Sequence, residues 1–151
     1  ALAHASRTKP AARWVEVAWA IRQWAVAHPH EYALPYGTPV PGYAAPDDTV
    51  APGTRVSLAL VQVVVDAAAD GLLQPVEAKL SPSTRRDMKA MLDHIGGGGT
   101  PEHVFRTIVA WTQLFGLISF ELFNQTRGLV SDHESTFDDA AIAMARSIGL
   151  P

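Results

Sequence analysis

The sequence predicts an all-α bundle of about five long helices, and three observations carry that prediction. Apolar residues recur at intervals of three and four over long stretches. Prolines and capping residues open those stretches, and glycines or prolines close them. The third observation is the run Trp111-Thr112-Gln113-Leu114-Phe115-Gly116-Leu117-Ile118-Ser119-Phe120-Glu121-Leu122-Phe123, which is apolar nearly all the way around a helix. A length of 151 residues, 48% of them hydrophobic, is enough for one domain with a sizeable core.

Taken in order, the first helix opens at Pro10, a residue well suited to a first helical turn. Trp14, Val17, Ala18, Ile21, Trp24 and Ala25 then follow at helical spacing until Pro29 ends the run. Residues 29–53 read as a loop, because Pro29, Pro35, Pro39, Pro41, Pro46 and Pro52 crowd there with Tyr32, Tyr36 and Tyr43 among them. Such a loop either walls an apolar pocket with tyrosines or only anchors itself to the bundle through them. The second helix is expected to be capped by Thr54 after Gly53 and to run to Asp70-Gly71. Its Val56–Val65 stretch is rich in β-branched residues, but Arg55, Gln62, Asp66 and Asp70 form a polar strip only on a helix. Ser81-Pro82 opens the third helix, which carries Met88, Met91, Leu92 and Ile95 and stops at the glycine run 96–99. Thr100-Pro101-Glu102 opens the fourth. Ser131 and Glu134 form a capping box for the fifth, with Asp132, Glu134, Asp138 and Asp139 early and Arg146 late, as the helix dipole favours.

The fourth and fifth helices point to a second subunit. Trp111, Phe115, Ile118 and Leu122 make one apolar stripe, and Leu114 and Leu117 continue the apolar surface beyond it. A surface helix needs only one such stripe, so two faces here require burial. The run is shorter than a bilayer span and is interrupted by Gln113 and Glu121, which favours a protein surface over a membrane as the cover. The fifth helix adds small residues, Ala140, Ala141, Ala143 and Ala145, beside Phe137, Ile142, Met144 and Ile148, which permit close helix approach. Leu114, Leu117, Ile118, Glu121, Phe137, Ala141 and Met144 are therefore the expected homodimer interface. Glu121 needs a donor in that apolar setting, whether an arginine, a ligand group or solvent at the rim.

Other function classes find little support. There is no cysteine, which excludes disulfides, thiolate metal sites and a cysteine nucleophile. The net charge is −3 and the basic residues are scattered, so no nucleic-acid footprint is present. No signal peptide or membrane span is visible, and a cytoplasmic setting is expected. His28, His30, His94, His103 and His133 sit near predicted helix ends without a metal-binding spacing, and the glycine run lacks the Lys-Ser/Thr of a phosphate loop. No metal, cofactor or catalytic group is predicted.

Two stretches carry a resemblance. Trp24-Ala25-Val26-Ala27-His28-Pro29-His30-Glu31-Tyr32-Ala33-Leu34-Pro35-Tyr36-Gly37-Thr38-Pro39-Val40-Pro41-Gly42-Tyr43 and the run from Trp111 to Leu122 resemble the C-terminal domain of TetR-family transcriptional regulators, in the subgroup called WHG. The resemblance extends from about Pro10 to Gly149. Phe115 stands where the subgroup pattern has His, so no polar or proton-handling role carries over to that position. The resemblance implies a small-molecule-sensing and dimerisation domain over residues 10–151, with residues 1–9 as the end of a linking helix or a tail. Its last two helices would pair with those of a second subunit in a four-helix bundle. DNA would be bound only through an N-terminal helix-turn-helix that this sequence does not contain. It places an apolar or aromatic effector among Trp24, Tyr32, Tyr36, Met91, Ile108, Trp111 and Phe115. The alternative from another class is a small helical enzyme or carrier using the same apolar cavity.

Overall fold

Proline opens four of the helices in this chain, and the fold follows from what lies between those openings. The structure, a computed structural model, describes residues 8–36, 47–96 and 98–151, without the side chains of Pro35 and of residues 47–57. Among the described residues all regular structure is helical: α1 (Pro10–Ala27), α2 (Pro29–Tyr36), α3 (Asp47–Ala69), α4 (Pro82–Ile95), α5 (Pro101–Leu122) and α6 (His133–Ile148). The expectation of an all-α bundle holds. The linking-helix reading of residues 1–7, Tyr43 and the prolines at 39, 41 and 46 lie outside the described residues, as do the side chains of Thr54 and Arg55.

Two helix starts differ from the sequence expectation by more than one residue. Pro29 ends α1 but also starts α2, where residue 29 needs no backbone N–H and Glu31 sits in the positive first turn. Part of the expected loop is thus a short helix, joined to α1 by the bond from the Tyr32 N–H to the His28 carbonyl at 2.9 Å. The next helix begins at Asp47, ahead of Thr54, and continues through Pro52 and Gly53. A proline in the opening turns forfeits one backbone bond, a loss that a long helix tolerates.

The β-branched stretch of α3 is helical because its buried face, Leu60, Val63, Val64 and Ala67, packs on α1. α1 is the central element. It packs against α3, α5 and α6, and its Trp14, Val17, Ala18 and Ile21 are buried among Leu60, Val63, Leu114, Ile118, Phe137, Ala141 and Ile148. Arg13 closes the α1–α3 seam with a 2.9 Å ion pair to Asp66. α4 packs chiefly on α5.

Capping explains where α4 and α6 stop. Ser81 accepts from the Thr84 N–H at 3.2 Å, and Gly96 caps the other end of α4. α6 is capped by Asp132, which accepts from the Ser135 N–H at 3.0 Å, one residue beyond the Ser131 expected from sequence. A carboxylate is as good a cap as a hydroxyl and adds favourable charge at the dipole, so the register with Asp132 prevails.

The segment after α3 runs as a strap beneath the bundle. The Gln74 N–H donates to the Gly149 carbonyl at 2.8 Å, and the Arg106 guanidinium donates to the Glu77 carbonyl at 2.6 Å. His103 locks the strap to α5: its Nδ1 accepts from the Thr100 N–H at 3.1 Å, which leaves Nε2 to donate to the Gln74 carbonyl at 2.9 Å. Gly149 has φ +89°, and a Cβ there would fall 2.4 Å from the Gln74 carbonyl oxygen. Only glycine lets the strap approach α6 this closely.

Candidate functional site

Tyr32 is the anchor of an aromatic cluster that joins α2 to α5. It is fully buried, and its hydroxyl lies 3.1 Å from the Phe115 carbonyl and 2.9 Å from the Ser119 hydroxyl. A carbonyl can only accept, so the phenol proton goes to Phe115 and Ser119 donates to the phenol oxygen. Burial raises the Tyr32 pKa, and the Ser119 bond opposes that rise. The Tyr36 ring lies 4.9 Å from Tyr32 and 4.5 Å from Phe115, centre to centre, and Trp111 meets Phe115 edge-on at 5.9 Å. Burial raises the Tyr36 pKa as well.

The structure therefore brings together Tyr32, Tyr36, Trp111 and Phe115 of the expected ligand-contact residues. Trp24 is instead stacked on His28 and 41% exposed, while Met91 on α4 is 42% exposed. Ile108 is half-buried on α5. α4 leans chiefly on α5, and no residue of α4 is fully buried, which accords with the exposure of Met91.

The expected interface residues divide in two. Leu114, Ile118, Phe137 and Ala141 are buried within the single chain, because the stripe they form is the one that meets α1. They have no surface left for a partner. Leu117 and Met144 instead line an open hollow of about 600 Å³ between α5 and α6, with Gln113, Gly116, Phe120, Ala140, Ala143 and Ser147. On each helix these residues repeat at i, i+3, i+4 and i+7: 113, 116, 117, 120 and 140, 143, 144, 147. Phe120 is 56% exposed.

Glu121 finds its donor inside the chain. Arg22 of α1 grips the carboxylate through two bonds, Nε to Oε2 at 2.8 Å and Nη2 to Oε1 at 2.6 Å. That bond raises the Arg22 pKa against the opposing effect of burial. The guanidinium also stands 5.1 Å from the Trp19 ring centre and 5.4 Å from that of Phe137, and the Trp19 indole donates to Asp138 at 2.9 Å. This polar knot ties α1 to both α5 and α6. Among the described residues, no three of His, Asp and Glu gather as a metal-binding group.

Comparison with known proteins fits this architecture. A family model described as the tetracyclin repressor-like C-terminal domain matches residues 14–144. This chain belongs to that family. Its similar relatives include HTH-type transcriptional regulators of Mycobacterium bovis and Mycobacterium tuberculosis, each 33% identical over 112 residues. That alignment covers 74% of this chain and 48% of each relative, so the chain spans about half the length of the curated relatives it matches.

In this tetracyclin repressor-like domain, the sequence left two features unread. Arg22 interrupts the apolar face of α1 next to Ile21, and a charge there is the signal of a buried partner, which proved to be Glu121. Gly116, Phe120 and Ala143 carry the outward face of α5 and α6, and their spacing is visible in the sequence once the inward stripe is assigned to α1. No helix among the described residues is long and apolar enough to cross a membrane.

Proposed function

We propose that this domain senses a small apolar or aromatic effector and pairs with a second copy of itself, as the regulatory half of a TetR-like transcriptional regulator. The observation that carries the reading is the division of labour on one turn of α5. Phe115 and Ser119 face inward and hold the Tyr32 hydroxyl, while Gly116, Leu117 and Phe120 face outward on the same turn. A ligand that displaces the Tyr32, Tyr36 and Phe115 rings moves the turn that carries the pairing face. Regulation then requires that the ligand bind one arrangement of the dimer more tightly than the other.

Gly116 supports pairing by α5 and α6. Glycine in a helix interior costs about 1 kcal/mol relative to alanine, yet nothing within 4 Å would meet a Cβ at this position. Among the described residues nothing makes use of the missing side chain, whereas a second helix approaching to about 8–10 Å would. Operator recognition belongs, in this proposal, to a helix-turn-helix outside residues 14–144, as the HTH-type designation of the relatives and the half of their length left unmatched suggest.

Sedimentation equilibrium tests the pairing face: the chain is expected to be a dimer at micromolar concentration, and Ala143→Glu, which introduces charge at an exposed helix position, a monomer. A monomeric unaltered chain would sink the reading. Native mass spectrometry of the purified chain tests sensing, with the expected result a small-molecule adduct that is lost on Tyr36→Ala.

A further inference from the structure

Among the described residues, three buried side-chain polar atoms have no hydrogen-bond partner: the indole nitrogens of Trp14 and Trp111 and the hydroxyl of Thr126. Trp14 is wholly enclosed by the core, so nothing from outside reaches it. Thr126 lies in the turn beyond α5. Trp111 differs from both. Its side chain is only half-buried, its indole N–H is shielded from water, and its ring meets that of Phe115 in a T-shaped contact within the aromatic cluster.

An unpaired buried donor is unfavourable, and an incoming acceptor relieves that penalty. Two of the cluster's other polar groups already have partners within the chain, and the Tyr36 hydroxyl, whose ring lies 4.5 Å from Phe115, is a second group an effector could meet. The Tyr32 proton is committed to the Phe115 carbonyl, and Ser119 donates to the Tyr32 oxygen. Of the arginines on or against α5, Arg22 is neutralised by Glu121 and Arg85 by Glu102, and Arg106 is turned to the Glu77 carbonyl, away from the aromatic cluster's contacts. A carboxylate brought to these rings would be desolvated with no cation among the cluster's contacts. We propose that the effector is a flat, uncharged molecule bearing a hydrogen-bond acceptor such as a ketone or amide oxygen, and that the Trp111 indole N–H is the donor that selects it. This rests on the effector site proposed above.

The test uses a matched pair of probes, 2-acetylnaphthalene and 2-ethylnaphthalene, which share ring and shape but differ in the carbonyl. Both are titrated into the chain carrying ¹⁵N-labelled tryptophan, whose four indole N–H signals are followed by NMR. The acetyl compound is expected to bind roughly tenfold more tightly, the upper range for one hydrogen bond. It should also move one indole signal downfield, and Trp111→Phe should remove that signal and equalise the two affinities. The wild-type spectra decide the matter even if this variant fails to fold. Equal binding of the two probes, or a downfield shift of another indole, overturns the acceptor proposal while leaving the effector site standing. Binding of neither probe removes the effector site and this proposal together.

Discussion

α4 and α6 invite comparison because they pack on the same helix, have similar length and end in the same way. Each has a side-chain N-cap, Ser81 or Asp132, and a glycine C-cap, Gly96 or Gly149. Yet α6 buries Phe137, Ala141, Met144, Ala145 and Ile148, while α4 buries nothing fully. Caps therefore specify where a helix begins and ends, but burial decides how firmly it is held. α6 is part of the cooperative core with α1 and α5. α4 is retained by the partly covered side chains of Met88 and Leu92 and by one ion pair to α5, Arg85 with Glu102 at 2.6 Å, while Lys89 and Asp93 pair at 2.9 Å within the helix itself. Exposed pairs of this kind contribute little. α4 is thus the element expected to open first in local unfolding.

The strongest way to break the comparison is to truncate one apolar residue on each helix. Phe137→Ala removes a side chain that is buried, in edge contact with Trp19 at 5.3 Å, and should cost about 3–5 kcal/mol. Leu92→Ala on α4 should cost about 1 kcal/mol, since much of its surface already meets water. Urea denaturation of the two variants measures both losses. Similar losses would mean that α4 is held as tightly as α6.

A smaller effect separates their ion pairs. Arg22→Met strands Glu121 in a largely buried place and should destabilise the chain by about 3 kcal/mol. Arg85→Met removes a half-exposed arginine and leaves Glu102 its hydrogen bonds to a backbone N–H and to Thr100 at the start of α5, so it should shift the midpoint far less. Arg22→Met together with Glu121→Leu should recover much of the loss, which identifies the stranded charge as its cause. Failure of that double change to recover stability would locate the loss in the contacts of Arg22 with Trp19 and Phe137 instead.

The same contrast explains what the sequence revealed. Element type and most ends were legible because they rest on local chemistry: Pro10, Ser81-Pro82, Thr100-Pro101 and Gly96 act on their own turns. α2 was hidden because Pro29 serves two helices at once, a terminator for one and a first residue for the other. Of the candidate site, Tyr32, Tyr36, Trp111 and Phe115 were legible as a group, whereas Trp24 and Met91 depended on how far α1 and α4 tilt from the cluster. Four of the residues expected at an interface, Leu114, Ile118, Phe137 and Ala141, are buried within the chain for a related reason. Two apolar faces on α5 are evident in the sequence, but which one meets α1 is decided by Trp14, Ile21 and the Arg22–Glu121 contact, all of them long-range.

The smallest expected effect concerns the caps themselves. Asp132 accepts from the Ser135 hydroxyl and N–H, and those bonds, in that order, lower its pKa below the ordinary carboxylate range. A carboxylate lowered on folding contributes stability in full above its unfolded pKa and loses it as pH falls through the folded value. Asp132→Asn keeps a good capping side chain but removes the charge, so it should be slightly less stable than the unaltered chain at pH 7. The two should converge in acid, when both caps are neutral. Glu102, whose pKa is lowered as well, is common to both chains and cancels in their difference. The corresponding change on α4, Ser81→Asn, should give an offset independent of pH, because neither side chain titrates. Thermal melts of the three chains between pH 7 and pH 3 check this, and a gap between unaltered and Asp132→Asn chains that stays constant across that range would show that charge plays no part in the α6 cap.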